Sequence, residues 1–155
     1  KEGEPCDYIY FINKGAFRSY REMDGKDITT WISTENEFIT AISAYFQKAP
    51  ALKNVEALED SFLLAIHRDD LQLLIRKFPE MNNVLRIFYE EYYLAAEERA
   101  YVARIRDAEG KYKRLLETHP DLIKRLPLKY IASYLGMTLE TLSRIRSRMA
   151  KESAV

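Results

Sequence analysis

Between Glu80 and Arg106 the chain runs without a single glycine or proline. A stretch of that length is far longer than an ordinary strand and makes roughly seven turns of α-helix. Along it Met81, Val84, Leu85, Phe88, Tyr92, Ala95, Arg99 and Val102 fall on one stripe, while Glu90, Glu91, Glu97 and Glu98 lie mostly off it and read as a solvated face. Pro79, just before the stretch, suits the first position of a helix, where it has no N–H to lose. A helix this long needs something to cover its stripe. The heptad-like spacing points to a second copy of the chain, against the alternative of packing on its own neighbouring domain. Tyr89, Tyr92, Tyr93 and Tyr101 add aromatic surface that serves either as packing or as the wall of a ligand pocket.

The periodicity differs on the two sides of this helix. Upstream, Tyr8-Ile9-Tyr10-Phe11-Ile12 is aromatic and β-branched, and Asn13-Lys14-Gly15 follows as a turn. Residues 16–21 alternate, with Phe17 and Ser19 on one face and Arg18 and Tyr20 on the other. Asp24-Gly25 predicts a two-residue type I′ hairpin, since both central positions must take positive φ. Residues 28–32, 55–58 and 62–66 complete a set of short strands with tight turns, the pattern of an antiparallel sandwich or barrel. Residues 40–46 have no clean period and read as a helical turn within a loop. From Asp69 the step changes, and Leu71, Leu74, Ile75 and Phe78 predict a short amphipathic helix.

Downstream, Asp107-Ala108-Glu109-Gly110 interrupts the long helix as a candidate hinge, with Asp107 capping the helix that follows. That helix carries Tyr112, Leu115 and Leu116; a short one over residues 121–125 precedes Pro127. In residues 128–135 Leu128, Ile131 and Leu135 face inward, Gly136 suits a left-handed helix end, and Thr138 suits the cap of a second helix with Leu142, Ile145 and Met149 inward. Ala132 is small where the two helices must cross. This is a helix-turn-helix spacing.

The net charge of zero hides an asymmetry: residues 108–155 carry ten basic and five acidic side chains, and the rest of the chain is acidic. A basic segment on a neutral protein points to a polyanion. On the outer side of the second helix lie Glu140, Ser143, Arg144, Ser147 and Arg148. Arg pairs with guanine, Glu accepts from cytosine, and Ser serves either role. Thr138 and Thr141 at the helix start, and Lys129 on the preceding helix, suit phosphate contacts. The competing interpretation is an αα-hairpin with a merely solvated charged face.

Taken end to end, the chain resembles the Crp/Fnr superfamily of bacterial transcription regulators. The resemblance rests on Gly3-Glu4, on residues 8–15, on Asp24-Gly25-Lys26 and Phe38-Ile39, on a hinge at residues 107–111, and on Leu139-Glu140-Thr141-Leu142-Ser143-Arg144. It implies an α+β architecture with an N-terminal antiparallel β-roll (a cupin-like jelly roll), a long dimerisation helix and a C-terminal all-α helix-turn-helix domain. The expected boundaries are 1–79, 80–107 and 108–155, with the roll's first strands expected upstream of Lys1. It implies a homodimer through 80–107 on a palindromic double-stranded DNA operator, Glu140 and Arg144 as base readers, and RNA polymerase and a small-molecule effector as further partners. Leu139 stands where the family often has Arg, so the operator is expected to differ from the family's best-known one. With few residues after Met149, no β-hairpin wing is expected behind this helix.

The effector side departs from the pattern. Members that bind cyclic nucleotides use Gly-Glu for the ribose and Arg-Ser for the phosphate, whereas here Thr40-Ala41 follow Phe38-Ile39 and no Arg occurs between Arg21 and Arg68. Lys48 and Lys53 are the cations of that loop, and Lys lacks the two-pronged donor of Arg. The long helix offers Ala95-Ala96-Glu97-Glu98 where a hydroxyl would meet the base. A pocket lined by Thr40, Ala41, Lys53, Tyr92 and Ala96 would therefore hold an effector other than cyclic AMP, or none.

The lone Cys6 excludes a disulfide framework, and no Cys-x-x-Cys or His-x-x-x-His spacing predicts a metal site. His67 sits at a strand-to-helix junction, and His119 at a helix end, where an imidazole can meet orphan carbonyls. No phosphate loop or dinucleotide fingerprint occurs, so neither catalytic residues nor cofactors are expected. The longest apolar run is far too short to span a bilayer. With no leader ahead of the first strand, a cytoplasmic protein without membrane partners is expected. The reading from another class is a ligand-binding or dimerisation module that does not bind DNA.

Overall fold

The structure, a computed structural model, describes residues 1–152. In chain order the strands are β1 (Tyr8–Lys14), β2 (Phe17–Met23), β3 (Lys26–Ser33), β4 (Phe38–Ile39), β5 (Asn54–Ala57) and β6 (Phe62–His67), with helix α1 (Ile42–Gln47) between β4 and β5. They form two three-stranded antiparallel sheets. β1 is central in one, between β4 and β6, and β2 is central in the other, between β3 and β5. The hairpin between β2 and β3 turns on Asp24 and Gly25, with φ of 52° and 72°, as a type I′ turn requires. Ile12 of β1, Ile39 of β4 and Phe17 of β2 are buried together, with Tyr10 and Leu63 against them, so one apolar cluster joins both sheets.

Arg18, beside Phe17 on β2, is also buried, although alternation put the two on opposite faces. The flanking strands explain this. Its guanidinium donates to Glu56 on β5 (2.6 Å) and to Asp27 on β3 (2.8 Å), and lies 4.0 Å from the Tyr20 ring centroid. A buried guanidinium is tolerated only with partners of this kind. Two-residue β4 is too short for periodicity to reveal. α1 ends at Lys48 in the left-handed region, and beyond it Ala51 pairs by backbone hydrogen bonds with Gly3 and Glu4.

Helix α2 (Arg68–Lys77) is capped by His67, whose Nδ1 accepts from the Asp69 N–H at 3.2 Å. Phe78, Pro79 and Glu80 accept from the N–H groups three residues on, so Pro79 lies in a tight turn ahead of α3 (Met81–Arg104) rather than at its first position. The chain divides into two compact units, residues 1–89 and 90–155, and α3 runs from one into the other. In the first unit the Phe88 ring meets Phe38 edge-on at 4.4 Å, and Tyr89 meets Phe46 at 6.2 Å. No residue of α3 is fully buried, and Val84, Ile87, Tyr93, Leu94 and Tyr101 are exposed.

In the second unit α3 stops at Arg104, and α4 (Ala108–Thr118), α5 (Pro120–Arg125), α6 (Leu128–Leu135) and α7 (Leu139–Glu152) follow. Asp107 caps α4, its Oδ1 accepting from the Gly110 N–H at 2.6 Å. The interruption expected at residues 107–110 therefore lies at 105–107, and Gly110 is already helical. A Cβ on Gly110 would come within 2.8 Å of the Asp107 carboxylate, so the glycine serves the close approach of the cap instead of breaking the helix. Tyr112, Leu115, Leu122, Leu126, Ile131, Ala132, Leu135, Leu142 and Ile145 form the buried interior here. Each leucine or isoleucine contributes about 1.5–3 kcal/mol on burial. Among the described residues no helix is long and apolar enough to cross a membrane.

Candidate nucleic-acid interface

The turn between α6 and α7 is built from local chemistry. Gly136 takes φ 68° and ψ 39°, its N–H reaches Ser133 O at 3.1 Å, and the Met137 N–H reaches Ala132 O at 3.0 Å. This closes the end of α6 on a left-handed residue with a six-to-one hydrogen bond. From α4, Lys111 Nζ donates to Leu135 O at 3.3 Å and places a cation at the carbonyl end of α6. Thr138 then caps α7, its Oγ1 accepting from the Thr141 N–H at 3.2 Å, with the Thr141 hydroxyl 3.0 Å away. Leu142 is wholly buried and Ile145 nearly so, beside Ile131, Ala132 and Leu135 of α6.

With that side of α7 fixed inward, Glu140, Ser143, Arg144, Ser147 and Arg148 are all exposed, Thr141 is half-buried, and Lys129 is exposed on α6. Hydrogen bonding from the backbone at the helix start holds the Glu140 carboxyl below the usual carboxylate range, the Thr138 hydroxyl adds to this, and Arg144 contributes one turn on. Glu140 is thus an ionised acceptor at neutral pH. Lys129 Nζ lies 4.6 Å from the Tyr130 ring centroid.

Arg148 is ion-paired with Glu109 of α4, and Lys113 Nζ meets the same carboxylate at 2.7 Å. Sequence reasoning missed Glu109. The Glu109–Lys113 spacing on one helix was readable, but nothing local signals a partner 39 residues away. It also missed the Glu98–Arg114 pair, because Glu97 and Glu98 read as a solvated face. Glu98 instead clamps Arg114 of α4 through two hydrogen bonds of 2.6 and 2.9 Å, bridging the break at residues 105–107. The Arg114 hydrogen bond holds the Glu98 carboxyl below its ordinary range. His119 lies beside the Thr118 hydroxyl (2.9 Å), while its backbone N–H, not its ring, meets a helix-end carbonyl.

The residues read as an effector pocket fall in both units. Thr40 and Ala41 are buried in the first. The Thr40 hydroxyl donates to Tyr8 O at 2.8 Å and lies 3.3 Å from Cys6 Sγ, and Ala41 packs with Ala44, Ala51 and Cys6. Lys53 is half-buried. On α3, in the second unit, Tyr92 is exposed and Ala96 half-buried. Arg68 ties the chain before β1 to the start of α2, donating to Asp7 (2.8 Å) and Cys6 O (2.9 Å). Arg68 Nε and Tyr45 Oη are buried without a hydrogen-bond partner among the described residues. No group of His, Cys, Asp and Glu able to hold a metal ion is found among the described residues.

The sequence family described as "cyclic nucleotide-binding domain" matches residues 1–78. No sequence among the curated proteins matches the chain. Among solved structures, FixK2 from Bradyrhizobium japonicum is similar with a TM-score of 0.77 at 22% identity, over 98% of this chain and 79% of that one. CLP from Xanthomonas campestris, described as a c-di-GMP responsive global regulator, is similar with a TM-score of 0.73 at 16% identity, over 99% and 82%. A CooA mutant from Carboxydothermus hydrogenoformans is similar with a TM-score of 0.74 at 16% identity, over 98% and 75%. At these identities the likeness shows the fold.

Proposed function

This chain belongs to the cyclic nucleotide-binding domain family and has the Crp/Fnr fold, and on that premise we propose that it is a one-component transcription regulator binding a palindromic DNA operator as a homodimer. The observation that carries the reading is the outer face of α7. Its polar and charged side chains are exposed together while Leu142 and Ile145 anchor the helix behind them. Glu140 and Arg144 read base edges, and Ser143 and Ser147 flank them. Thr138, Thr141 and Lys129 meet phosphates and set the register of the helix in the groove. Arg148 stands at the edge of the same face.

Residues 1–79 then act as the sensor roll, 80–107 as the dimer helix and 108–155 as the DNA-binding part. The effector, where there is one, is not cyclic AMP bound in the family's usual way. In support, the Thr40 hydroxyl is already engaged and Ala41 is buried, so neither offers a side chain to a ribose. A signal in the roll changes how two copies of α3 pack and swings the DNA-binding helices about residues 105–107. An effector shifts that balance only by its differential affinity for the two arrangements.

Duplex binding measured across a salt series tests this. The parent's affinity falls log-linearly with salt. Arg144→Ala loses about 1–3 kcal/mol of sequence discrimination, and Lys129→Ala weakens all duplexes alike. An Arg144→Ala variant with the parent's sequence preference contradicts the base-reading role.

A further inference from the structure

We propose that Glu109 limits the affinity of this protein for DNA, by keeping Arg148 of α7 neutralised and away from the phosphate backbone. The inference rests on the DNA-binding reading above and adds to it a residue outside the helix-turn-helix that sets the overall affinity for duplexes.

Glu109 sits in the first turn of α4, next to the Asp107 cap, and its carboxylate receives Lys113 from its own helix and Arg148 from α7. The side chain therefore reaches from α4 to the exposed face that carries Glu140 and Arg144. Arg148 is itself 57% exposed, so a duplex lying on α7 has access to it. Glu152, one turn beyond Arg148, also acts on Lys113, which makes the edge of the face a row of alternating charges.

Two consequences follow for a phosphate approaching this edge, and both have the same sign. The cation that would meet it is already paired, and a fixed carboxylate stands beside it. The pair is partly exposed, and its contribution to folding stability is modest. Its effect on binding is larger, because each phosphate contact carries a counterion-release term that is independent of sequence. Suppressing one such contact lowers the affinity for every duplex alike and leaves the discrimination made by Glu140 and Arg144 unchanged.

The test uses the full chain with Glu109→Gln, Arg148→Gln and the double variant, titrated against a non-operator duplex across a salt series. Thermal melting shows whether each variant is folded. At about 0.1 M salt Glu109→Gln binds about eightfold tighter per subunit, with a log-log salt slope steeper by about 0.9, as one added phosphate contact requires. The double variant loses the gain of Glu109→Gln, so that in the Arg148→Gln background the removal of Glu109 changes affinity by less than about twofold. Affinity and slope unchanged in Glu109→Gln would overturn the proposal, as would a gain that survives Arg148→Gln. Should Glu109→Gln fail to fold, Glu109→Ala is titrated in its place, with the same gain expected and an unchanged affinity overturning the proposal. If the parent binds no duplex even at low salt, it is the DNA-binding reading that fails. If the parent binds and the variants match it, only the role of Glu109 fails.

Discussion

At Gly136 the backbone is left-handed, and the nearest atom a Cβ would meet is Lys111 Nζ at 3.9 Å. An alanine there fits in space, so its penalty is backbone strain alone, about 1–2 kcal/mol. Gly136→Ala is expected to lower the denaturation free energy of the helical unit by that amount, and Gly136→Asn by less, since Asn tolerates this conformation. Equal stability of parent and Gly136→Ala in urea would show that the turn does not need the left-handed residue. Features of this local kind were legible in the sequence: the Gly136 end, the Thr138 and Asp107 caps, the His67 junction and the Asp24-Gly25 hairpin each involve neighbours a few residues apart. Arg18, Glu98 and Arg148 were not legible. Their partners lie 38, 16 and 39 residues away and meet them only once the chain is folded.

Among elements, the link between α3 and α4 rests on a clamp rather than on a flexible glycine. Gly110 resembles a break in the sequence because glycine is a poor helix former, but at the third position of a capped helix it admits the Asp107 carboxylate. The Glu98–Arg114 clamp gives this link a pH dependence. Arg114 depresses the Glu98 pKa below its unfolded value, so the clamp's stabilisation is complete above the ordinary carboxylate range. It is lost as pH falls through that range and then through the depressed value in the fold. Thermal melting of the helical unit should therefore decline on acidification in the parent and decline less steeply in Glu98→Gln. Identical pH profiles would mean that the clamp contributes nothing. β4 and α1 were harder to read than the longer strands because two and six residues hold too little pattern.

For the whole molecule, α3 is the element that the proposed dimer would cover. Its 24 residues extend about 36 Å with none fully buried. Tyr93 and Leu94 are among the most exposed apolar side chains of the protein, at 69% and 62%. A second copy is the occupant we propose from its heptad-like spacing, and a two-fold dimer would make the proposed DNA site two-fold as well. The face of α7 could be read in the sequence because a helix repeats on itself and Leu142 and Ile145 define its inner side. Whether the roll takes an effector could not be read, because the first residues after β4, Thr40 and Ala41, turn into the interior. Selection of a random duplex library by the purified protein, at about 150 mM salt and with and without a metabolite extract, tests the central claim most directly. The account predicts enrichment of a palindrome whose half-sites are centred about one helical turn apart, or a multiple of it. A flat library in both conditions, from protein shown to be folded and dimeric, would contradict it.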